Sequence, residues 1–178
     1  MAKNTKQLII NTYIRLLEES PSSHVTVKEI SKACGINRNT FYYHFKDILS
    51  LIEEIFRQGT EHITSDLETA SLTEKVRSAL KFAEMHRPAI LNLYNSIGHV
   101  QFERYLINVC DYIAHEALDP FIESGNLTDD YAEFVIYFYR CSCVGLFIDW
   151  LHNDMEENIE ANLNRFHTME ETILEKLL

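Results

Sequence analysis

Residues 37 to 46 read NRNTFYYHFK, and most of their side chains are polar groups with donors to offer. Arg38, Asn39, Thr40, Tyr42, Tyr43, His44 and Lys46 bring guanidinium, amide, hydroxyl, imidazole and ammonium groups into one short run. Such groups hydrogen-bond to base edges and phosphate oxygens. Phe41 and Phe45 are four apart, so on a helix they share a face and anchor it while the donors look outward. The chemistry this run suits is recognition of a nucleic acid rather than bond-making.

The neighbouring residues build the frame that would position it. Thr26 followed by Glu29 is a capping box, in which the hydroxyl and the carboxylate satisfy the free donors at a helix start. Val27, Ile30 and Ala33 or Cys34 then recur at helical spacing, and Gly35 stops the helix because a left-handed residue costs glycine almost nothing. Ile36 dips back toward the core and Asn37 is a good N-cap for a second helix. Two short helices joined by a tight glycine turn are the layout of a DNA-reading helix-turn-helix. On these residues alone, a solvated helix pair inside an all-α protein remains the alternative.

Catalysis finds no comparable pattern. The chain has no HExxH, no glycine-rich phosphate loop and no nucleophile elbow, and its eight histidines include no pair at i, i+4. Cysteines 34, 110, 141 and 143 show no zinc-finger or CxxC spacing and read as reduced core thiols. No catalytic residue, metal site or cofactor is predicted. The first residues lack a signal-peptide pattern and no run of about 18 apolar residues is evident, so a cytoplasmic protein with no membrane partner is expected.

Charge is informative by region. Residues 1 to 50 hold seven Lys or Arg against four acids, a net of +3, and the remainder carries −14, giving −11 for the 178 residues. A basic head on an acidic body directs only one end to DNA.

Glycine and proline are scarce and no strand alternation is present, so the spacing predicts helices throughout. They are expected at about 5 to 19, from 27, from 38, from 47, at 73 to 86, 88 to 96, 99 to 118, 128 to 153 and 155 to 177. Ser71 with Glu74 and Asn153 with Glu156 are further capping boxes. Residues 131 to 151, YAEFVIYFYRCSCVGLFIDWL, are apolar around almost the whole circumference, which implies burial on two sides. That burial would come from a partner chain or from a central place in a monomer core. His86, Tyr94, His99, Phe102, Tyr105 and Phe138 are candidates to line an apolar pocket with polar tips, with ordinary core packing as the alternative. The acidic body favours a neutral or cationic ligand.

The string TVKEISKACGINRNTFYYHFKD resembles the DNA-binding module of the TetR/AcrR regulators, over about residues 8 to 56. RPAILNLY at 87 to 94 and VGLFIDWL at 144 to 151 resemble the helical C-terminal domain of a subgroup, while Pro21 stands where a glycine is usual. The resemblance implies an all-α fold, with a three-helix N-terminal helix-turn-helix DNA-binding domain at 1 to 46 and a helical ligand-sensing and dimerisation domain at 47 to 178. It implies that Arg38, Asn39 and Thr40 face base edges. Thr26, Lys28, Asn37, Tyr42, Tyr43, His44 and Lys46 would complete the DNA-binding surface, mostly on phosphates. It further implies a homodimer built through Tyr139, Cys143, Leu146, Phe147 and Trp150 of one helix and Leu163, Phe166 and Ile173 of the last. The expected function is a repressor released from a palindromic double-stranded operator by a small-molecule effector. The alternative is an activator or regulator controlled by a protein partner.

Overall fold

The computed structural model describes residues 2–19, 24–65, 70–123, 129–156 and 159–177. Among these, every regular element is a helix: α1 (Ala2–Glu19), α2 (Val27–Cys34), α3 (Arg38–His44), α4 (Ile48–Ser65), α5 (Leu72–Met85), α6 (Arg87–Ile97), α7 (His99–Glu123), α8 (Asp129–His152) and α9 (Glu160–Leu177). The all-α expectation holds. Pro21 lies outside the described residues.

Packing divides the chain into two units, residues 1–58 with 86–102, and residues 59–85 with 103–178. The boundary expected between residues 46 and 47 falls inside the first unit, and α6 belongs there too. The reason is the apolar stripe of α1, where Ile9, Ile10, Tyr13 and Leu17 are buried. α6 packs on α1 and buries Ala89, Leu93 and Tyr94, while the Asn92 amide donates to the Leu17 carbonyl at 2.7 Å. Ile30 of α2, Phe41 of α3, Phe45 just after α3, and Leu51 and Ile52 of α4 complete this core.

An ionic group ties α1 to α4. Glu54 lies 2.8 Å from Lys6 and 2.6 Å from Arg57, and accepts from Gln58 at 2.7 Å. The Arg57 guanidinium, more than any other neighbour, holds the Glu54 carboxyl down at about 2.

The second unit is organised around Leu72, Ile113, Leu118, Val135, Ile136, Tyr139 and Phe166, which form one buried cluster. α5 starts with the expected capping box: Ser71 N donates to the Glu74 carboxylate at 2.9 Å, and Glu74 N to Ser71 Oγ at 3.2 Å. A second acid comes from a distant helix. Glu170 of α9, buried, accepts from Leu72 N at 2.9 Å, from Thr73 N at 3.2 Å and from the Thr73 hydroxyl. Negative charge at a helix N-terminus is stabilising, and here it also fixes α9 against α5. Arg77 pairs with Glu160, and Arg140 with Asp111 at 3.0 Å.

Three expectations are corrected. The last helix begins at Glu160, not at about 155, because Asp154 and Met155 have φ of 51° and 58° and Met155 N closes a turn onto the Trp150 carbonyl at 2.8 Å. Asn153 therefore ends α8 rather than capping α9. Residues 99 to 123 form one helix, five residues longer than expected. Finally, α8 is long and apolar enough over Asp130–His152 to cross a membrane by length and composition, with a mean hydropathy of 1.4 over an 18-residue stretch. One side of it packs within the second unit through Val135, Ile136, Tyr139, Trp150 and Leu151, and it carries the Arg140 ion pair midway.

Candidate nucleic-acid interface

The turn between α2 and α3 is built almost wholly from local hydrogen bonds. Thr26 N donates to Glu29 Oε2 at 2.8 Å, and Glu29 N donates to Thr26 Oγ1 at 3.3 Å, so both halves of the capping box are made. The Thr26 hydroxyl, donating to Glu29 Oε2 at 2.6 Å, and then the Thr26 N–H lower the pKa of Glu29. At the other end Gly35 has φ 68°, with Gly35 N bonded to the Lys32 carbonyl and Ile36 N to the Ser31 carbonyl. This paired closure needs a left-handed residue, which glycine supplies without strain.

Asn37 then caps α3. Its Oδ1 accepts from Thr40 N at 2.8 Å and from the Thr40 hydroxyl at 3.1 Å. Phe41 and Phe45 are 0% and 3% exposed with ring centroids 5.8 Å apart, and Phe45 N closes on the Phe41 carbonyl. The Lys6 ammonium lies 5.8 Å from the Phe45 ring, and Asp47 caps α4 by accepting from Ser50 N at 2.8 Å. The reading helix is thus pinned on its inner side and at both ends.

Its outer side is free. Arg38, Asn39, Tyr42, Tyr43 and Lys46 are exposed, Tyr43 by 79%, with Thr40 and His44 half-buried. Tyr43 and His44 meet edge to face at 5.0 Å. Thr26, Lys28 and Asn37 are also exposed, but the oxygens of Thr26 and Asn37 are engaged in caps. These two residues shape the surface as much as they extend it.

The pocket candidates do not gather into one group within either unit. In the first unit, Tyr94 stacks on His99 at 4.2 Å and meets Phe102 at 5.2 Å, while His86 Nδ1 is 2.9 Å from a Glu18 carboxylate oxygen. Tyr94 and Phe102 are buried core residues. Tyr105, buried, and Phe138, 38% exposed, belong to the second unit.

The residues assigned to a dimer interface divide differently from the sequence expectation. Tyr139, Trp150, Leu163 and Phe166 are buried in the chain's own packing, Cys143 packs against the same cluster, and Phe147 is half-buried against Trp150. Only Leu146 is exposed, and the Ile173 side chain lies outside the described residues. The open face of α8 instead carries Phe134, Tyr137, Phe138, Cys141 and Gly145. A helix apolar on every side gives no periodic signal of which side meets the core, so spacing alone did not separate the two faces. Among the described residues, no three His, Cys, Asp or Glu side chains are placed to hold a metal ion.

Comparison with known proteins agrees with this geometry. The family model described as bacterial regulatory proteins, tetR family, matches residues 9–55, and the one described as transcriptional regulator C-terminal region matches residues 70–171. The chain is 36% identical over 62 residues to the HTH-type transcriptional regulator AcrR of Shigella flexneri, covering 35% of this chain and 29% of that relative. It is 23% identical over 171 residues to the HTH-type transcriptional regulator YxbF of Bacillus subtilis (strain 168), covering 90% of this chain and 43% of that relative. The chain thus spans less than half the length of either. Among solved structures, that of the dihydroxyacetone kinase operon activator DhaS is similar over 96% of both chains, with a TM-score of 0.75 and 13% identity, a likeness of fold.

Proposed function

Because the chain belongs to the TetR family of bacterial regulatory proteins, we propose that it is a repressor that binds a palindromic operator as a homodimer and is released when a small-molecule effector binds the second unit. The observation that carries this reading is α3 itself, whose donors line the outer side of a helix held by Phe41, Phe45 and the Asn37 cap. Arg38, Thr40 and Asn39 face base edges, and Thr26, Lys28, Tyr42, Tyr43, His44 and Lys46 hold phosphates and set the register. Asn37 serves through its cap.

One reading helix makes too small an interface for tight and selective binding, and two heads span half-sites roughly 34 Å or more apart. The open apolar stripe of α8 supports self-association. Phe134, Phe138, Cys141 and Gly145 follow at steps of four, three and four, and a Cβ built on Gly145 would meet nothing within 4 Å. Effector binding in the second unit acts through α4, one of the helices in which the two units join in sequence, so that both heads no longer engage together and most of the affinity is lost. As a DNA-binding regulator the protein works in the cytoplasm.

A second reading, an activator switched by a protein partner, is favoured by the likeness to an operon activator. The test uses a duplex that the protein selects. A compound that lowers its affinity for that duplex supports the repressor. Insensitivity to small molecules, with affinity changed only by a second protein, supports the activator.

A further inference from the structure

Four buried side-chain polar atoms among the described residues lack a hydrogen-bond partner: Ser31 Oγ, Lys75 Nζ, Tyr139 Oη and His167 Nδ1. Ser31 belongs to the first unit, and His167 Nδ1 lies 3.7 Å from the Glu170 carboxylate. The other two belong to the second unit, Tyr139, 1% exposed, within its apolar cluster. Lys75, 0% exposed, follows Leu72 of that cluster by three residues and precedes Ala79, packed against it, by four, so the three share a face of α5.

A buried ammonium with no partner is among the most costly arrangements a core can contain, because it forfeits hydration and receives nothing in return. The other buried charged residue among those described, Glu170, accepts from Leu72 N, Thr73 N and the Thr73 hydroxyl and makes no hydrogen bond to Lys75. Resting on the reading of the second unit as effector-sensing, we propose that Lys75 and Tyr139 form the polar end of an internal site for an organic carboxylate with an apolar body.

The donor set suits that class. One ammonium balances one carboxylate, whereas a phosphate monoester carries about −1.5 to −2 and calls for further cations. Burial pushes the Tyr139 phenol up to about 12, so at neutral pH it keeps its proton and donates. The apolar body lies along Val76 and Ala79, which are only partly buried. Net acidity had pointed to a neutral or cationic ligand, but a buried charge is poorly screened and dominates its own surroundings.

The test is isothermal titration of the full chain with a carboxylate series from butanoate to dodecanoate, and with the matching alcohols. The parent binds one or more carboxylates saturably and the alcohol of equal length at least about tenfold more weakly. Lys75→Met, which removes an orphaned charge and keeps the volume, folds with undiminished melting temperature and loses roughly tenfold or more in carboxylate affinity. Tyr139→Phe is the second variant and weakens binding less. Equal affinity for acid and alcohol, unchanged affinity in both variants, or no carboxylate binding by the parent overturns the site. Duplex binding is followed on the same samples: selective DNA binding without carboxylate binding sinks this inference alone, and carboxylate binding without DNA binding sinks the regulator reading alone.

Discussion

Asn37 Oδ1 accepts both the backbone N–H and the hydroxyl of Thr40, at 2.8 and 3.1 Å. The cap that starts the reading helix therefore also occupies the hydroxyl proton of a residue expected at a base edge, so Thr40 presents its methyl group and an oxygen that can only accept. Thr40→Val, which keeps a methyl and removes the hydroxyl, retains operator preference, whereas Thr40→Ser relaxes it. Competition binding against a random duplex reads the difference. Asn37→Ala costs about 1 kcal/mol of stability as the helix start loses its acceptor.

Arg38 and Lys46 are both exposed but are assigned different work. Arg38→Ala relaxes base preference and costs roughly 1–3 kcal/mol on the operator, while Lys46→Ala weakens all sequences alike and reduces the salt slope by about one. Affinities measured against operator and random DNA over a salt series separate the two. Equal behaviour of Arg38→Ala and the parent on both duplexes would remove α3 from the reading role.

These local devices were legible because each is written within four residues: Thr26 with Glu29, Gly35 after Cys34, Asn37 before Thr40. What escaped the sequence depends on distance along the chain. That α6 packs with the head rests on Asn92 meeting Leu17, and that α5 takes a second cap rests on Glu170 meeting Thr73. Asn153 and Glu156 mimic a capping box, yet tertiary packing draws Met155 into the core and the chain turns there instead. Lys75 looks like any exposed helix lysine until the fold buries it.

Glu54 makes the head sensitive to acid. Its folded pKa, about 2, lies below the ordinary 4.5, so its contribution is complete above 4.5 and is lost as pH falls through about 2. Glu54→Gln removes that part of the pH dependence. Melting temperatures of parent and variant should converge as pH drops from 4.5 toward 2, and curves that stay parallel would show that the group is not coupled to folding.

The two faces of α8 separate association from folding. Phe134→Glu, on the open face at 58% exposure, yields monomers with intact helicity. Leu163→Glu, at 3% exposure, unfolds the second unit because it buries an unpaired carboxylate. Sedimentation with circular dichroism distinguishes these outcomes, and a Phe134→Glu dimer as tight as the parent would place self-association elsewhere.

Selection of bound duplexes from a random pool at about 150 mM salt, where weak non-specific attraction is screened, asks whether α3 reads sequence as a pair. The expected product is a palindrome whose half-sites lie about one helical turn or more apart, read by two copies of α3. Recovery of no consensus sequence would contradict it.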